Sequence, residues 1–438
     1  MGKSFIEINK KWLQYLQTNH LSLQKKNVVG KVRELLKSYD GDKMLTPPAP
    51  LFFDEDDYVV LSHACKTLIN AQSKILNHLL STYGKDGLLK FFSIKEEMHQ
   101  FIDWQELIDA QKIVSRFDVI PTNDRFYICE INTDPSVGGG DVFDCAEVFF
   151  DAAGIEPPYE NFSPNYDKAL LVKKLCLQKQ LQKIVILGWH SYENDGYTSF
   201  ELEKKYFESL LPEYDVEIYH EYNFPIEYLD DTTSRELLIY RIGVFDDMTE
   251  EAVELFKRII DSHATVINTF ENEIRMSKSW LSIFHSEPYQ EALNSEEIAI
   301  IKQFIPYTFA LSIDSLDDAL NNKDSYIFKF NHSYGGYGIL MGSEHDKDIL
   351  RKKLIEQGVE LWTVQEVVRF DGMGMPYNDK FESDIHNYVF GLYVVDGQCK
   401  GFNVRASRRS KVVNLSTDPE TLCFCALPIK SNFFDSLI

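Results

Sequence analysis

The first 110 residues carry apolar positions at helical spacing. In IEINKKWLQYLQ, VVGKVRELLKSY and YVVLSHACKTLINAQSKILNHLLSTY they recur three and four residues apart, which predicts a helical N-terminal region. The intervening LTPPAPLFF reads as a proline-rich connection. Between 112 and 132 the pattern switches to period-two alternation, the signature of strands. From Lys183 strands and helices alternate: KIVILGWH, YDVEIYH, LLIYRIGVF and TVINTF read as strands, FELEKKYFESLL and EEAVELFKRIID as helices. That order predicts a parallel sheet of the α/β type. After about residue 273 a second mixed segment follows, with a glycine-rich turn at 335–342 and strand-like runs at 361–370, 387–395 and 400–406.

At 438 residues the chain exceeds one ordinary core, so two or three domains are expected. Hydrophobic residues make up 44%, enough to fill globular cores. No run approaches the roughly 18 apolar residues of a membrane helix, and the N-terminus lacks an apolar signal core. A cytoplasmic protein without membrane partners is expected. With 45 Lys and Arg against 68 Asp and Glu, the net charge of −23 speaks against a nucleic-acid partner. The acidity serves solubility or steers a cationic substrate. The seven cysteines are scattered, and Cys423 and Cys425 lack the companions a zinc site needs, so reduced structural thiols are expected.

VSRFDVIPTNDRFYICEINTD reads as a hairpin around Thr122–Asn123–Asp124. A three-residue loop at 123–125 would pair Thr122 with Phe126, Asp118 with Glu130 and Arg116 with Asn132. Arg116, Asp118, Glu130 and Asn132 then share one face; Phe117, Val119, Cys129 and Ile131 take the other. A one-residue slip would destroy that separation. Facing carboxylates require a cation. Oxygen donors from Asp, Glu and Asn suit magnesium completed by phosphate, and Arg116 would neutralise an anion. A plain solvated hairpin face is the competing reading. The DPSVGGGD that follows is either a loop letting backbone approach a ligand or a flexible turn.

Farther on, SYIFKFNHSYGGYGILMG puts Lys329 at a strand end ahead of Gly335, Gly336 and Gly338. Glycine-loop N–H groups and a lysine suit phosphate, although this is no Walker A loop and an ordinary hairpin turn fits as well. Gln365 and Glu366 interrupt the apolar strand LWTVQEVVRF, where they would meet a purine or ribose, or join an internal hydrogen-bond network. Lys278 heads an amphipathic helix in ENEIRMSKSWLSIF, where a lone lysine is ordinarily exposed. Arg405 alternates with Phe402 and Val404 in the last strand pair and either aims at phosphate or at solvent.

Taken in this order, these pieces resemble the circularly permuted ATP-grasp family, most closely the synthetase domain of glutathionylspermidine synthase. Arg116–Phe117–Asp118 and Glu130–Ile131–Asn132 match its R-x-D … E-x-N hairpin; Lys278, Lys329, YGGYGILMG and VQEVV resemble its nucleotide-binding parts. The resemblance spans about residues 110–415, and no Cys/His amidase domain precedes it. It implies an α/β (α+β) fold: a helical region at 1–110, a metal-binding hairpin segment at 111–180, a Rossmann-like pre-ATP-grasp domain at 181–272 and an ATP-binding domain at 273–438. It further implies ATP and Mg2+ as cofactors, with Asp118, Glu130 and Asn132 on the metal. Lys278, Lys329, Gly335, Gly336, Gly338, Gln365, Glu366 and Arg405 would hold nucleotide, and Arg116 would be catalytic. The implied activity joins a small-molecule or peptide carboxylate to an amine through an acylphosphate. A phosphotransferase or a non-catalytic nucleotide-binding protein are the alternatives, and the identity of the acid and the amine does not follow from the resemblance.

Overall fold

The structure is a computed structural model describing residues 2–40, 49–109, 114–122, 125–133, 140, 142–159, 163–195, 198–333, 336, 338–370, 372–378, 380–413, 418, 420–430 and 432–436. It is a mixed α/β molecule with three sheets among the described residues. No described helix is long and apolar enough to cross a membrane.

The N-terminal region is helical as expected, with helices at Gly2–Thr18, His20–Lys25, Val28–Asp40 and Glu55–Phe91. The last begins on Asp54, whose side chain accepts from the Asp56 N–H, with Glu55, Asp56 and Asp57 in the first turn, where the helix dipole favours acids. It breaks at Gly84, whose φ of 69° lies in the left-handed region that glycine tolerates.

The proline-rich connection holds an element the pattern did not predict. Strand β1 (Leu51–Asp54) pairs in parallel with the last strand, Leu51 opposite Ala426 and Asp54 opposite Ile429. Leu51 and Phe53 enter one core and Phe52 another, so the strand is buried on both sides and shows no alternation. As an edge strand it would expose backbone groups. Asn9 covers them: its Nδ2 donates to the Phe52 carbonyl at 2.8 Å and its Oδ1 accepts the Phe52 N–H at 2.9 Å.

Strands β2 (Val114–Pro121) and β3 (Phe126–Thr133) form the expected hairpin. The α/β segment supplies β4 (Lys183–Leu187), β5 (Asp215–Tyr219), β6 (Leu237–Arg241) and β7 (Thr265–Ile267). These make the expected parallel sheet, in the order β5-β4-β6-β7. Its central β4 sends Ile184 and Ile186 into one core and Val185 and Leu187 into the other.

Next come β8 (Thr308–Ala310), β9 (Tyr326–Phe330), β10 (Ile339–Met341) and β11 (Trp362–Glu366), an antiparallel sheet in the order β10-β9-β11-β8. Phe328, Leu340, Trp362 and Val364 pack with Leu316, Leu320, Leu350 and Leu354 of the helices Ile313–Asn321 and Lys347–Glu356. Alternation therefore turns Lys329, Thr363 and Gln365 to the opposite face. The run expected at 361–370 is a strand only over Trp362–Glu366, because its partners end there: Glu366 already pairs with Tyr326 and Gln365 with Thr308, the first residues of β9 and β8. The Lys278 segment is also not one helix; Lys278 lies between short helices at Glu271–Arg275 and Trp280–Ile283.

The remaining strands, β12 (Met373–Pro376), β13 (Ser383–Val395), β14 (Gln398–Ser407) and β15 (Leu422–Ile429), join the early hairpin in one sheet, β1-β15-β14-β13-β2-β3, with β12 also on β13. The hairpin thus sits beside strands nearly 300 residues later in the chain. Replacing Asn9 by alanine strips two buried backbone groups of their partners, at about 1–3 kcal/mol each. Urea denaturation should show a loss of about 2–5 kcal/mol, and an unchanged midpoint would mean that the β1 edge needs no cover.

Candidate functional site

The hairpin register is as expected at the polar positions and different at the turn. Asp118 lies opposite Glu130 and Arg116 opposite Asn132, but Pro121, not Thr122, lies opposite Phe126. The discrepancy of one residue is absorbed by a bulge between Asp118 and Val119, which leaves Cys129 without a partner across the ladder. Its carbonyl oxygen is taken instead by the Lys329 ammonium at 2.6 Å. The bulge therefore ties the hairpin to the small sheet. A signal for it was present: Phe126 and Ile128 are two apart in the core, but Ile128 and Ile131 are three apart. Asn123 and Asp124 of the turn lie outside the described residues, as does most of DPSVGGGD.

Arg116, Asp118 and Asn132 are buried, not solvated. Asp118 is held by two guanidiniums: Arg116 Nε donates to Oδ1 at 3.0 Å and Arg405 Nη2 to Oδ2 at 2.6 Å. Burial alone would raise its pKa, but Arg116 and Arg405 outweigh that and keep the carboxyl below its usual range. Arg116 can lie across β13 because Gly391, opposite Asp118, has no side chain. A Cβ there would stand 2.3 Å from Arg116 Cδ.

Across the strand pair, Glu130 Oε1 lies 3.2 Å from Lys278 Nζ. That ammonium also donates to the Ser333 carbonyl, and the Lys278 N–H donates to the Asn331 carbonyl at 3.0 Å. Lys278 is 4% exposed, contrary to the ordinary expectation for a lone helix-start lysine. Lys329 is equally buried, and desolvation pulls its ammonium below the usual lysine range against the attraction of Glu130 and Asp118. Arg116, Asp118, Glu130, Asn132, Lys278, Lys329 and Arg405 are thus brought into one connected region. Its four cations exceed its two carboxylates by two charges, in a chain of net charge −23. Among the described residues two donors there have no hydrogen-bond partner, Arg405 Nε and Asn132 Nδ2, although both residues are 8% exposed. Buried polar atoms of this kind are costly unless something meets them.

The other expected residues fall differently. Gly336 and Gly338 have φ of 79° and 71°, and the Gly338 carbonyl accepts the Phe330 N–H, so they close the β9–β10 turn. Gly335 lies outside the described residues. Gln365 Nε2 donates to Thr308 Oγ1 at 3.1 Å, and Thr308 Oγ1 to the Pro306 carbonyl at 2.7 Å, which is the internal network considered above. Glu366 is exposed at the end of β11.

The cation that the facing carboxylates require is supplied by the protein itself. Among the described residues no three His, Cys, Asp or Glu side chains are grouped to hold a metal ion. The hairpin does offer oxygen donors of the type magnesium takes, Asp118, Glu130 and Asn132, and the Asn132 Nδ2 is without a partner among the described residues. That donor set fits the ion when phosphate completes the shell.

No protein-family model matches the sequence, and no curated protein matches it. Among solved structures, the fold is similar to a glutathione synthetase-like effector from Globodera pallida in its apo form. The TM-score is 0.57 at 12% identity, covering 92% of this chain and 97% of that one. A protein from Methylobacillus flagellatus described as a gamma-glutamylcysteine synthetase matches with a TM-score of 0.36 at 12% identity, over 82% of this chain and 87% of that one. The first of these shows a shared fold over nearly the whole length of both chains.

Some neighbours of the site carry no motif. Gly391 is one. Glu271 is another: burial pushes its carboxyl up to about 7, and its helix abuts the hairpin through Thr133 Oγ1, which donates to the Asn272 carbonyl at 2.8 Å. Its position before Lys278 in ENEIRMSK was the only hint available in sequence. Replacing Gly391 by alanine should drive Arg116 from its place over β13 and cost about 1–3 kcal/mol by urea denaturation, with far-UV circular dichroism unchanged. A variant as stable as the parent would mean that Arg116 does not need that gap.

Proposed function

We propose that the chain is an ATP-dependent ligase that joins a carboxylate to an amine, releasing ADP and phosphate. The observation that carries this reading is the buried cationic excess around Asp118 and Glu130, with unpartnered donors at Arg405 Nε and Asn132 Nδ2. Phosphate oxygens are the ligand such donors suit. The fold shared with the glutathione synthetase-like effector supports it, as does the resemblance of the R-x-D … E-x-N hairpin to permuted ATP-grasp enzymes. In this reading 111–180 and 273–438 are parts of one permuted ATP-grasp unit, 181–272 is the pre-ATP-grasp domain and 1–110 a helical region.

Each residue has a role in the proposal. Lys278 and Lys329 exchange Glu130 and the Cys129 carbonyl for the phosphates of ATP. Arg405 and Arg116 face the transferring phosphoryl group and the acylphosphate formed from the carboxylate, where preorganised cations are most effective. Gly336 and Gly338 let the turn after Lys329 cover the phosphates and exclude water, and Glu366, exposed at the end of β11, meets the base edge while Gln365 stays in its network with Thr308. Asp118, Glu130 and Asn132 would hold magnesium, which supplies charge neutralisation between phosphate oxygens. The amine then attacks the acyl carbon and phosphate leaves.

The test is ADP release with ATP, magnesium and pooled acids, amines, amino acids and small peptides. Release should need both an acid and an amine, stop on chelation, and fall at least about 100-fold in Glu130→Ala. Undiminished turnover in that variant would contradict the assignment. A stable phosphorylated product formed without amine would make the enzyme a phosphotransferase, and nucleotide binding without turnover a non-catalytic protein.

A further inference from the structure

The helix Glu271–Arg275 ends in a charge that the site has not used. Arg275 is wholly buried, and among the described residues no carboxylate lies within ion-pair distance of it. Its guanidinium donates to uncharged acceptors instead: to Gln72 Oε1 at 3.1 Å, to Ser73 Oγ at 3.0 Å and to the Leu107 carbonyl. Gln72 closes the circle, its Nε2 donating to the Arg275 carbonyl at 2.9 Å. The amide thus commits its acceptor and a donor to one residue, 203 positions away, and grips both its side chain and its backbone. Gln72 itself is 2% exposed on the core face of the helix Glu55–Phe91, among Leu68, Ala71, Ile75 and Leu76, where an amide without partners would be destabilising.

This grip lies just ahead of Lys278. Arg275 precedes it by three positions, and a second anchor follows it by two. The Trp280 indole donates to the Ile274 carbonyl at 2.8 Å, and its ring packs on Phe92, the C-cap of the same N-terminal helix, at 5.2 Å between centroids. Lys278 therefore sits in a short span held on both sides by one helix. From that span its N–H and its ammonium reach the Asn331 and Ser333 carbonyls.

Filling space does not account for Arg275. Burial pulls its pKa down to about 10, against the attraction of Glu271 one turn earlier, and its Nε has no hydrogen-bond partner among the described residues. An apolar side chain of similar volume would fill such a place at no greater cost. What an apolar side chain lacks is direction. Four hydrogen bonds fix where the backbone of Arg275 points, and charges that bind a ligand work best when they are aimed before it arrives. We propose that Arg275 is a positioning residue for nucleotide: clamped by Gln72, it aims the Lys278 ammonium at the phosphates and makes the N-terminal helix part of the ATP site, an inference that rests on the phosphate-binding role of Lys278.

The experiment is a double-mutant cycle, read by calorimetric titration of the full chain with magnesium and a non-hydrolysable ATP analogue. Arg275→Met should keep the far-UV circular dichroism of the parent and weaken binding of the analogue about tenfold. Lys278→Ala should weaken it at least as much. Adding Arg275→Met to Lys278→Ala should change nothing further, because a residue that acts through Lys278 then has nothing left to aim. Gln72→Met, on the helix and away from the ligand, should reproduce the loss and be equally silent in Lys278→Ala; it decides the matter should Arg275→Met fail to fold. Losses that add up in the double variants, or single variants that bind as the parent does, would overturn the positioning role and leave the ligase reading standing. A parent chain that does not bind the analogue would overturn both.

Discussion

An ionised carboxylate cannot be buried unless cations and hydrogen bonds replace the water it loses. Asp118 sets that condition for the structure around it. Arg116 comes from its own strand, Arg405 from β14, and β13 must run between them with a glycine where Arg116 crosses. Meeting the condition fixes the order β14-β13-β2 in the large sheet, and so the union of an early hairpin with late strands. The same hairpin then reaches the small sheet through the Cys129 carbonyl, which binds Lys329, and the segment between two short helices through Glu130, which binds Lys278. Removing one partner of such a set is far costlier than the set as a whole is stabilising, so the residues hold one another in place.

This arrangement also explains the state of the two lysines. Each ammonium is buried and needs an acceptor; Glu130, Ser333 and the bulged Cys129 supply them. The proposed ligand competes with these protein contacts, and the excess of positive charge favours it. The fit of oxygen donors on β2 and β3 to magnesium belongs to the same proposal.

Much of this was legible in the sequence where local pattern controls structure. The hairpin's alternation gave the pairing of Asp118 with Glu130, because one face had to be polar, and the continuous runs gave the parallel sheet. What escaped is non-local or depends on backbone irregularity. Nothing in LFFD announces a strand, since both faces are buried and its partner lies at 426–429. The bulge appears in sequence merely as an apolar spacing of three, and it shifted the turn by one residue. The end of β11 at Glu366 is dictated by where β8 and β9 stop, and the burial of Lys278 by a carboxylate on β3. The Gln365 side chain found a partner in Thr308, on a neighbouring strand that the pattern had not revealed.

The most direct test of the account is a crystal structure of the chain with magnesium and a non-hydrolysable ATP analogue. The account predicts the phosphates between the hairpin and the small sheet, with Lys329 drawn from the Cys129 carbonyl and Lys278 from Glu130 onto phosphate oxygens, and Arg405 Nε finding its partner there. A nucleotide bound elsewhere, or both lysines keeping their protein contacts with the analogue in place, would contradict it.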